Sequence, residues 1–358
     1  MEIARFLLDH GAFVNVQEAR WGRTELHAAA GRGFRDLADM LIEAGARTDI
    51  RDNKGKTAAD LAFERGFSQI GYALLAAGAP DSNLVAQLTQ PSPLEQEVAP
   101  GEAFVWHLGH SGWAVKTQNN FLVFDYFSFP EQAAPDQPSL ACGRICPTQL
   151  QGQNVTCFVS HHHGDHLDSC IYGWRDSLQN IAYVSGCPLP GLTQGEYTFM
   201  QPRQDTTVND IRVTTIYSTD AGVGFLVEVD GLTLLHAGDH ANGGPGLMQA
   251  YTDEIDFAGE RAPNIDFSFF GIRGCSLGDP ESVRDGVYYS LEHLNMGVTF
   301  LQHAAAATWA YQDWADSAAV RFPDAVFGCP TDFGEVFHVK DGKLVQNDGT
   351  LAGIEATR

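Results

Sequence analysis

Basic residues are scarce in this chain. Lys and Arg number 22 against 45 Asp and Glu, a formal net charge of -23 at pH 7. A field of that sign repels phosphate backbones, so nucleic acid is not expected as a partner. Long apolar runs are missing too: no stretch approaches the ~18 uninterrupted apolar residues of a membrane span. Met1 to Arg5 carries neither the apolar core nor the cleavage pattern of a secretory leader. These absences predict a soluble, cytoplasmic protein with no membrane partner. The 7 cysteines, odd in number and without a leader, read as reduced thiols rather than a disulfide framework. Cys142 and Cys146 are spaced to share a metal but have no second pair, so scattered thiols is the reading preferred. A chain of 358 residues is too long for one average domain, and two are expected.

The first of these is a repeat array. Gly22-Arg23-Thr24-Glu25-Leu26-His27-Ala28-Ala29 returns as Gly55-Lys56-Thr57-Ala58-Ala59-Asp60-Leu61-Ala62, a shift of 33 residues. Gly33 returns at Gly66 and Gly45-Ala46 at Gly78-Ala79 with the same shift. Both copies resemble the ankyrin signature, with Glu25 and Ala58 in place of its proline. Leu37, Met40 and Leu41, like Ile3, Phe6 and Leu7, recur at helical spacing and give each short helix one apolar stripe, which only stacked neighbours can bury. Met1 to Leu8 matches the second helix of a repeat without its first, so residues 1–79 read as a short all-α array whose first repeat is incomplete. His27 is read as holding the repeat turn. The array implies a possible protein partner. Prolines and polar residues over 80–101 read as a linker.

From Phe104 the pattern changes to short strands separated by Gly- and Asn-containing turns. Phe104–Leu108, Trp113–Lys116 and Phe121–Phe124 form an expected meander, and Asp230-Gly231 between two apolar runs signals a hairpin. Strands continue at 155–159, 181–184, 211–217, 224–229, 232–235 and 298–302, with helices expected over 282–294 and 309–321. Strands first, then strands mixed with helices, predict a layered α/β domain over 102–358.

The densest chemistry lies in Ser160-His161-His162-His163-Gly164-Asp165-His166-Leu167-Asp168, directly after the apolar run Val155–Val159. A strand ending in such a loop delivers several nitrogens and oxygens to one point, as Zn²⁺ requires at roughly 2.0–2.2 Å from imidazole or carboxylate. Alternate residues His161 and His163 point together toward one ion, while Asp165 and His166 turn toward another. A His-rich surface loop or tag would account for the histidines but not for the interleaved aspartate.

HxHxDH at a strand end resembles the metallo-β-lactamase superfamily, and the resemblance spans about Phe104 to Val345. It implies an αβ/βα sandwich carrying one or two metals, here preceded by the ankyrin array. It also implies two further ligands. Asp239, in the strand end Leu234-Leu235-His236-Ala237-Gly238-Asp239, matches the carboxylate that bridges both metals. His303, closing Val298–Gln302, matches the last ligand. A lone Gly-Asp or a lone strand-end histidine would otherwise read as a turn or a polar terminus. The sequence departs from the family where a third histidine should follow 211–217: Tyr217-Ser218-Thr219-Asp220-Ala221-Gly222 contains none. Asp220 could supply an oxygen there, or His110 of Gly109-His110-Ser111-Gly112 could reach across. The resemblance thus assigns His161, His163 and Asp239 to a first metal, and Asp165, His166, Asp239 and His303 to a second.

The implied activity is hydrolysis of an ester, lactone or related bond in a small-molecule substrate by a metal-activated hydroxide, with zinc as the expected cofactor and manganese or iron compatible. Asp165 would position the hydroxide as well as bind metal, proton delivery would fall to His110 or His240, and Asp168 would orient a ligand histidine. The competing reading is an ankyrin-based scaffold fused to a domain that keeps metal without turnover. A nuclease of the same superfamily would need a basic strip near the metals, and only the scattered Arg144, Arg175 and Arg203 are seen.

Overall fold

The computed structural model describes residues 2–65, 67–80, 92–128, 139–274, 277–305 and 307–345. The chain divides into two compact units, one of 1–95 with 129–145 and 346–358, the other of 96–128 with 146–345. Half of the expected linker, 81–91, lies outside the described residues, as does Gly66 of the repeat pattern.

In the first unit, helix α1 (Glu2–Asp9) is followed by two helical pairs, α2 (Glu25–Gly31) with α3 (Arg35–Glu43) and α4 (Ala58–Glu64) with α5 (Ser68–Ala76). The small residues Ala29, Ala30, Ala58, Ala59 and Ala62 let these helices approach closely around Leu26, Leu41 and Leu74. His27 does hold the repeat turn. Its Nδ1 faces the Thr24 amide at 3.2 Å and its Nε2 faces the Lys56 carbonyl at 3.1 Å. Asp60 does the equivalent in the next repeat, accepting from the Thr57 amide at 2.8 Å. The stripe expected on α1 is not buried: Ile3, Phe6 and Leu7 are exposed, and Leu8 is the residue of α1 that packs on the repeat core.

The second unit consists of two sheets. One runs β15-β14-β1-β2-β3-β4-β5-β6 and the other β13-β12-β11-β10-β9-β8-β7, with β6 at Thr198–Phe199, β7 at Asp205–Val208, β13 at Val326–Gly328, β14 at Val336–Lys340 and β15 at Lys343–Leu344. The strands that matter for the site are β1 (Glu102–Gly109), β2 (Gly112–Lys116), β3 (Asn120–Phe124), β4 (Asn154–Val159), β5 (Ile181–Ser185), β8 (Ile211–Tyr217), β9 (Val223–Val229), β10 (Leu232–His236), β11 (Ile265–Gly271) and β12 (Met296–Gln302). Alternate residues of both sheets meet in one core, including Trp113, Phe124, Phe158, Phe225, Phe269 and Phe300. The outer face of the second sheet is covered by α6 (Met248–Arg261) and α7 (Pro280–His293), through Leu226, Leu235, Ile255 and Val287. Helix α8 (Trp309–Ala319) packs its Tyr311 and Ala315 with Leu301. On the first sheet Val184 points into the core, so Tyr183 points outward, where its hydroxyl donates to the Ile171 carbonyl at 2.7 Å. The 3-10 segment Ser169–Asp176 therefore covers that face.

This is the expected αβ/βα sandwich preceded by ankyrin repeats, with two differences. Helix α6 and strand β11 were not read from sequence. The outer layer over the first sheet is 3-10 rather than α-helical among the described residues. The Asp230-Gly231 hairpin forms as expected, with φ of 49° and 81° at its two central residues. Strands β3 and β4 are parallel, as are β10, β11 and β12, so the loops after them open at the C-terminal ends of parallel strands.

Candidate metal centre

Those loops carry the site. Asp125 follows β3, residues 160–166 follow β4, Asp220 lies between β8 and β9, Asp239 follows β10 and His303 follows β12. His110 occupies the turn between β1 and β2. Two groups of ligating side chains result. His161, His163, Asp220 and Asp239 form one, and His110, Asp165, His166 and His303 the other, the ligand atoms within each lying no more than 4.8 Å apart. Asp239 touches both: its Oδ1 is 3.2 Å from His166 Nε2, and its Oδ2 is 3.2 Å from His303 Nε2 and 3.7 Å from His161 Nε2.

Three donor atoms fit a cation. His166 Nε2, His303 Nε2 and Asp239 Oδ1 are all buried without a hydrogen-bond partner. Their nitrogen–oxygen contacts of 3.2 Å are short but poorly aligned for hydrogen bonds. Unsatisfied buried polar atoms are costly, and a cation could satisfy several that converge on one point.

The hydrogen bonds of the opposite ring nitrogens set which nitrogen of each histidine faces the centre. His166 Nδ1 donates to Asp125 Oδ2 at 2.9 Å, and His303 Nδ1 to the Arg273 carbonyl at 3.0 Å. The Ser160 hydroxyl donates to Asp125 at 2.7 Å and so accepts from His161 Nδ1 at 2.9 Å. In each of these rings Nδ1 carries a proton, so Nε2 is the nitrogen turned toward the centre. His163 differs in presenting Nδ1, 3.0 Å from His161 Nε2 and 3.3 Å from Asp220 Oδ2. His110 is reversed. Its Nδ1 accepts from the Ala305 amide at 3.3 Å, so the neutral ring carries its proton on Nε2, 3.1 Å from Asp165 Oδ2. His110 thus presents a proton to the site rather than a lone pair.

The electrostatics follow. Burial pulls His161 down to about 4. Burial also lowers His110, against the pull of Asp165. Burial would lower His166 as well, but Asp125 and Asp239 outweigh it and push that ring up to about 10. The neighbouring His110 holds Asp165 well below the usual carboxylate range, and His166 and His303 do the same for Asp239 despite its burial.

Backbone strain marks the same places. Asp125, His110, His303 and Ala305 have φ of 43°, 52°, 71° and 50°. Positive φ outside glycine costs on the order of 1 kcal/mol each and persists where the surroundings impose it. The His303 amide bonds the His110 carbonyl at 3.0 Å, tying two of these turns together.

Two expected roles find other surroundings in the structure. His240, expected as an alternative proton donor to His110, belongs to neither group of ligating side chains. Its ring stacks on Tyr251, its Nε2 faces the Tyr251 carbonyl at 3.2 Å, and burial lowers it to about 4. Asp168 does not orient a ligand histidine: it caps the 3-10 segment at Cys170 and accepts from Ser128. Asp125, which sequence reading missed, has that role through both His166 and Ser160. Its only sequence signal was an aspartate closing the apolar run of β3. At the position lacking a histidine, Asp220 stands beside His161 and His163, whereas His110 joins the other group.

Comparison with known proteins bears mainly on the N-terminal unit. Residues 1–85 match the model for ankyrin repeats (3 copies). Cyclin-dependent kinase 4 inhibitor B of Homo sapiens is 42% identical over 77 residues, 21% of this chain and 56% of that protein. Diacylglycerol kinase iota of Rattus norvegicus is 36% identical over 67 residues, 18% of this chain and 6% of that protein. This chain spans about half the length of the kinase inhibitors it matches. Among solved structures, a metallo hydrolase from the archaeon Ignicoccus hospitalis is similar with a TM-score of 0.48 and 16% identity, covering 67% of this chain and 99% of that one. A diiron beta-hydroxylase from Streptomyces venezuelae gives a TM-score of 0.47 at 10% identity, covering 89% of this chain and 63% of that one. The N-terminal region of this chain is an ankyrin-repeat array.

Proposed function

We propose that the α/β unit is a metal-dependent hydrolase of the metallo-β-lactamase type, cleaving an ester, lactone or related bond in a small molecule, with the ankyrin array as its protein-docking module. One observation carries this reading: the nitrogens of His161, His166 and His303 face Asp239, their opposite nitrogens already engaged. His161, His163, Asp220 and Asp239 would hold one ion, and Asp165, His166 and His303, with Asp239 shared, a second. A cation bound there would bring the pKa of a coordinated water toward about 7 and polarise the scissile bond.

The chain's own residues supply the rest. Asp125 locks the His166 ring and, through Ser160, the His161 ring, so the ligand nitrogens are aimed before any ion arrives. His110, neutral with its proton on Nε2, is placed to hand that proton to a leaving group, and Asp165 holds it in place. Zinc suits the mixed nitrogen and oxygen donors, as do manganese and iron. Buried thiols at Cys157 and Cys187 accord with a reducing compartment such as the cytoplasm.

The test is metal content by mass spectrometry on protein purified without a His tag, followed by assays on generic esters, lactones and phosphodiesters. Two ions per chain and turnover abolished by His163→Ala are the expected results. One tightly held ion and no turnover on any class would favour a docking protein with a structural metal, the reading that exposure of Asp220 makes the strongest competitor.

A further inference from the structure

One arginine in the α/β unit stands apart. Its other arginines, Arg175, Arg203, Arg212, Arg261, Arg284 and Arg321, each lie within ion-pair distance of a carboxylate. Among the described residues Arg273 makes no such pair, although the chain carries more than twice as many acidic as basic residues. Its carbonyl anchors His303 Nδ1 at 3.0 Å, which fixes its backbone beside the metal centre. The next residue, Gly274, has φ of 98°, and a side chain there would crowd the His303 carbonyl. The guanidinium lies 5.5 Å from the ring centroid of Trp309, which opens α8 just beyond the strained His303–Ala305 turn and is 48% exposed. An exposed arginine held over an exposed indole, with no carboxylate to neutralise it, is a preformed receptor for a planar anion.

We propose that Arg273, steadied by Trp309, selects substrates bearing a carboxylate close to the bond that is cleaved. This rests on the hydrolase reading above and adds the substrate's charge to it. The guanidinium presents paired N–H donors that match a carboxylate, and its attraction is not shared with a protein acid. The strongly negative chain would repel such a substrate elsewhere, so a local cation at the site is what admits it.

Two esters of nearly equal shape test this on the metal-loaded full chain: 4-carboxyphenyl acetate, which is anionic, and 4-carbamoylphenyl acetate, which is neutral. Binding of the corresponding phenols, 4-hydroxybenzoate and 4-hydroxybenzamide, is measured by calorimetry in parallel. We expect the anionic member of each pair to be preferred. In Arg273→Gln the ratio of kcat/KM and the ratio of binding constants should each fall by roughly tenfold or more, with Arg273→Lys intermediate and bound metal unchanged. No preference in the unaltered protein, or a preference that survives Arg273→Gln, overturns the inference. If neither ester turns over but the binding preference is present and is lost in Arg273→Gln, anion recognition stands and the hydrolase reading falls.

Discussion

At the residue scale the site is organised by which nitrogen of each histidine is already occupied. Asp125 is the hub, accepting from the Ser160 amide, the Ser160 hydroxyl and His166 Nδ1. Replacing it by alanine should free the rings of His161 and His166 and weaken metal binding by about 10–100-fold. Chelator competition with a metal indicator measures this, and an affinity within twofold of the parent would refute the role. His110 should behave differently, since its lone pair is spent on Ala305. His110→Gln should retain the metal and lose roughly 100-fold or more in kcat. Loss of metal in step with activity would make His110 a ligand instead. Proton linkage gives a third expectation. Without metal, His166 is pushed up to about 10 and is protonated at neutral pH. Metal needs the Nε2 lone pair, so binding must expel that proton, and affinity should rise about tenfold per pH unit below that value. Calorimetry in buffers of different ionisation enthalpy should count close to one proton released per chain. A count of zero at pH 7 would contradict the charge state.

At the element scale, legibility tracked how local the signal was. The ankyrin array was plain because its glycines and Thr24/Thr57 turns repeat, and the repeat turn closes through neighbours such as Thr24 with His27. The strands bearing the His cluster, Asp239 and His303 were legible because apolar runs end abruptly in histidine or aspartate. Helix α6 was missed because Met248–Arg261 mixes acids with apolar residues and buries Glu254, which accepts from the Tyr217 amide across the sheet. Asp125 was missed because its partners lie 35 and 41 residues on. Gly222 is a case where an element's meaning emerged only in three dimensions. It has φ of 65°, and a Cβ there would collide with the Ser160 carbonyl and lie 2.8 Å from His161 Cβ. In the ankyrin unit, His27 makes a further prediction. Burial lowers its pKa from the ordinary 6.5, against the Lys56 carbonyl that raises it. A depressed histidine contributes stability that is complete above about 6.5 and lost as pH falls toward the folded value, because protonation ends Nδ1's acceptance from Thr24. Protection factors over α2 and α4 in the full chain, taken relative to the intrinsic exchange rate at each pH, should fall between pH 7.5 and 5.5, and less so in His27→Gln. An identical response in both would remove His27 as the cause.

At the scale of the whole α/β unit, the centre gathers groups from both sheets. Asp125, His161, His163 and His166 come from loops of the first, and Asp220, Asp239 and His303 from loops of the second. A bound cation is therefore a cross-link between layers otherwise joined by the apolar core, and it neutralises the carboxylates of Asp165, Asp220 and Asp239 that face the centre. Ligands of this kind stabilise by mass action, roughly 4 kcal/mol when present at a thousand times their dissociation constant. For a domain of this size each kcal/mol moves the melting point by about 2–4 °C, so stripping the metal should lower it by roughly 10 °C. The loss should fall where the cross-link acts. After chelation, hydrogen exchange should rise in the loops after β4, β10 and β12 well before it rises in β11, which contributes none of the ligands. Returning zinc should reverse both effects in the parent but not in Asp239→Asn, whose amide cannot replace a carboxylate set between His161, His166 and His303. A melting point indifferent to chelation in metal-loaded protein would mean that no cation ties the sheets together there.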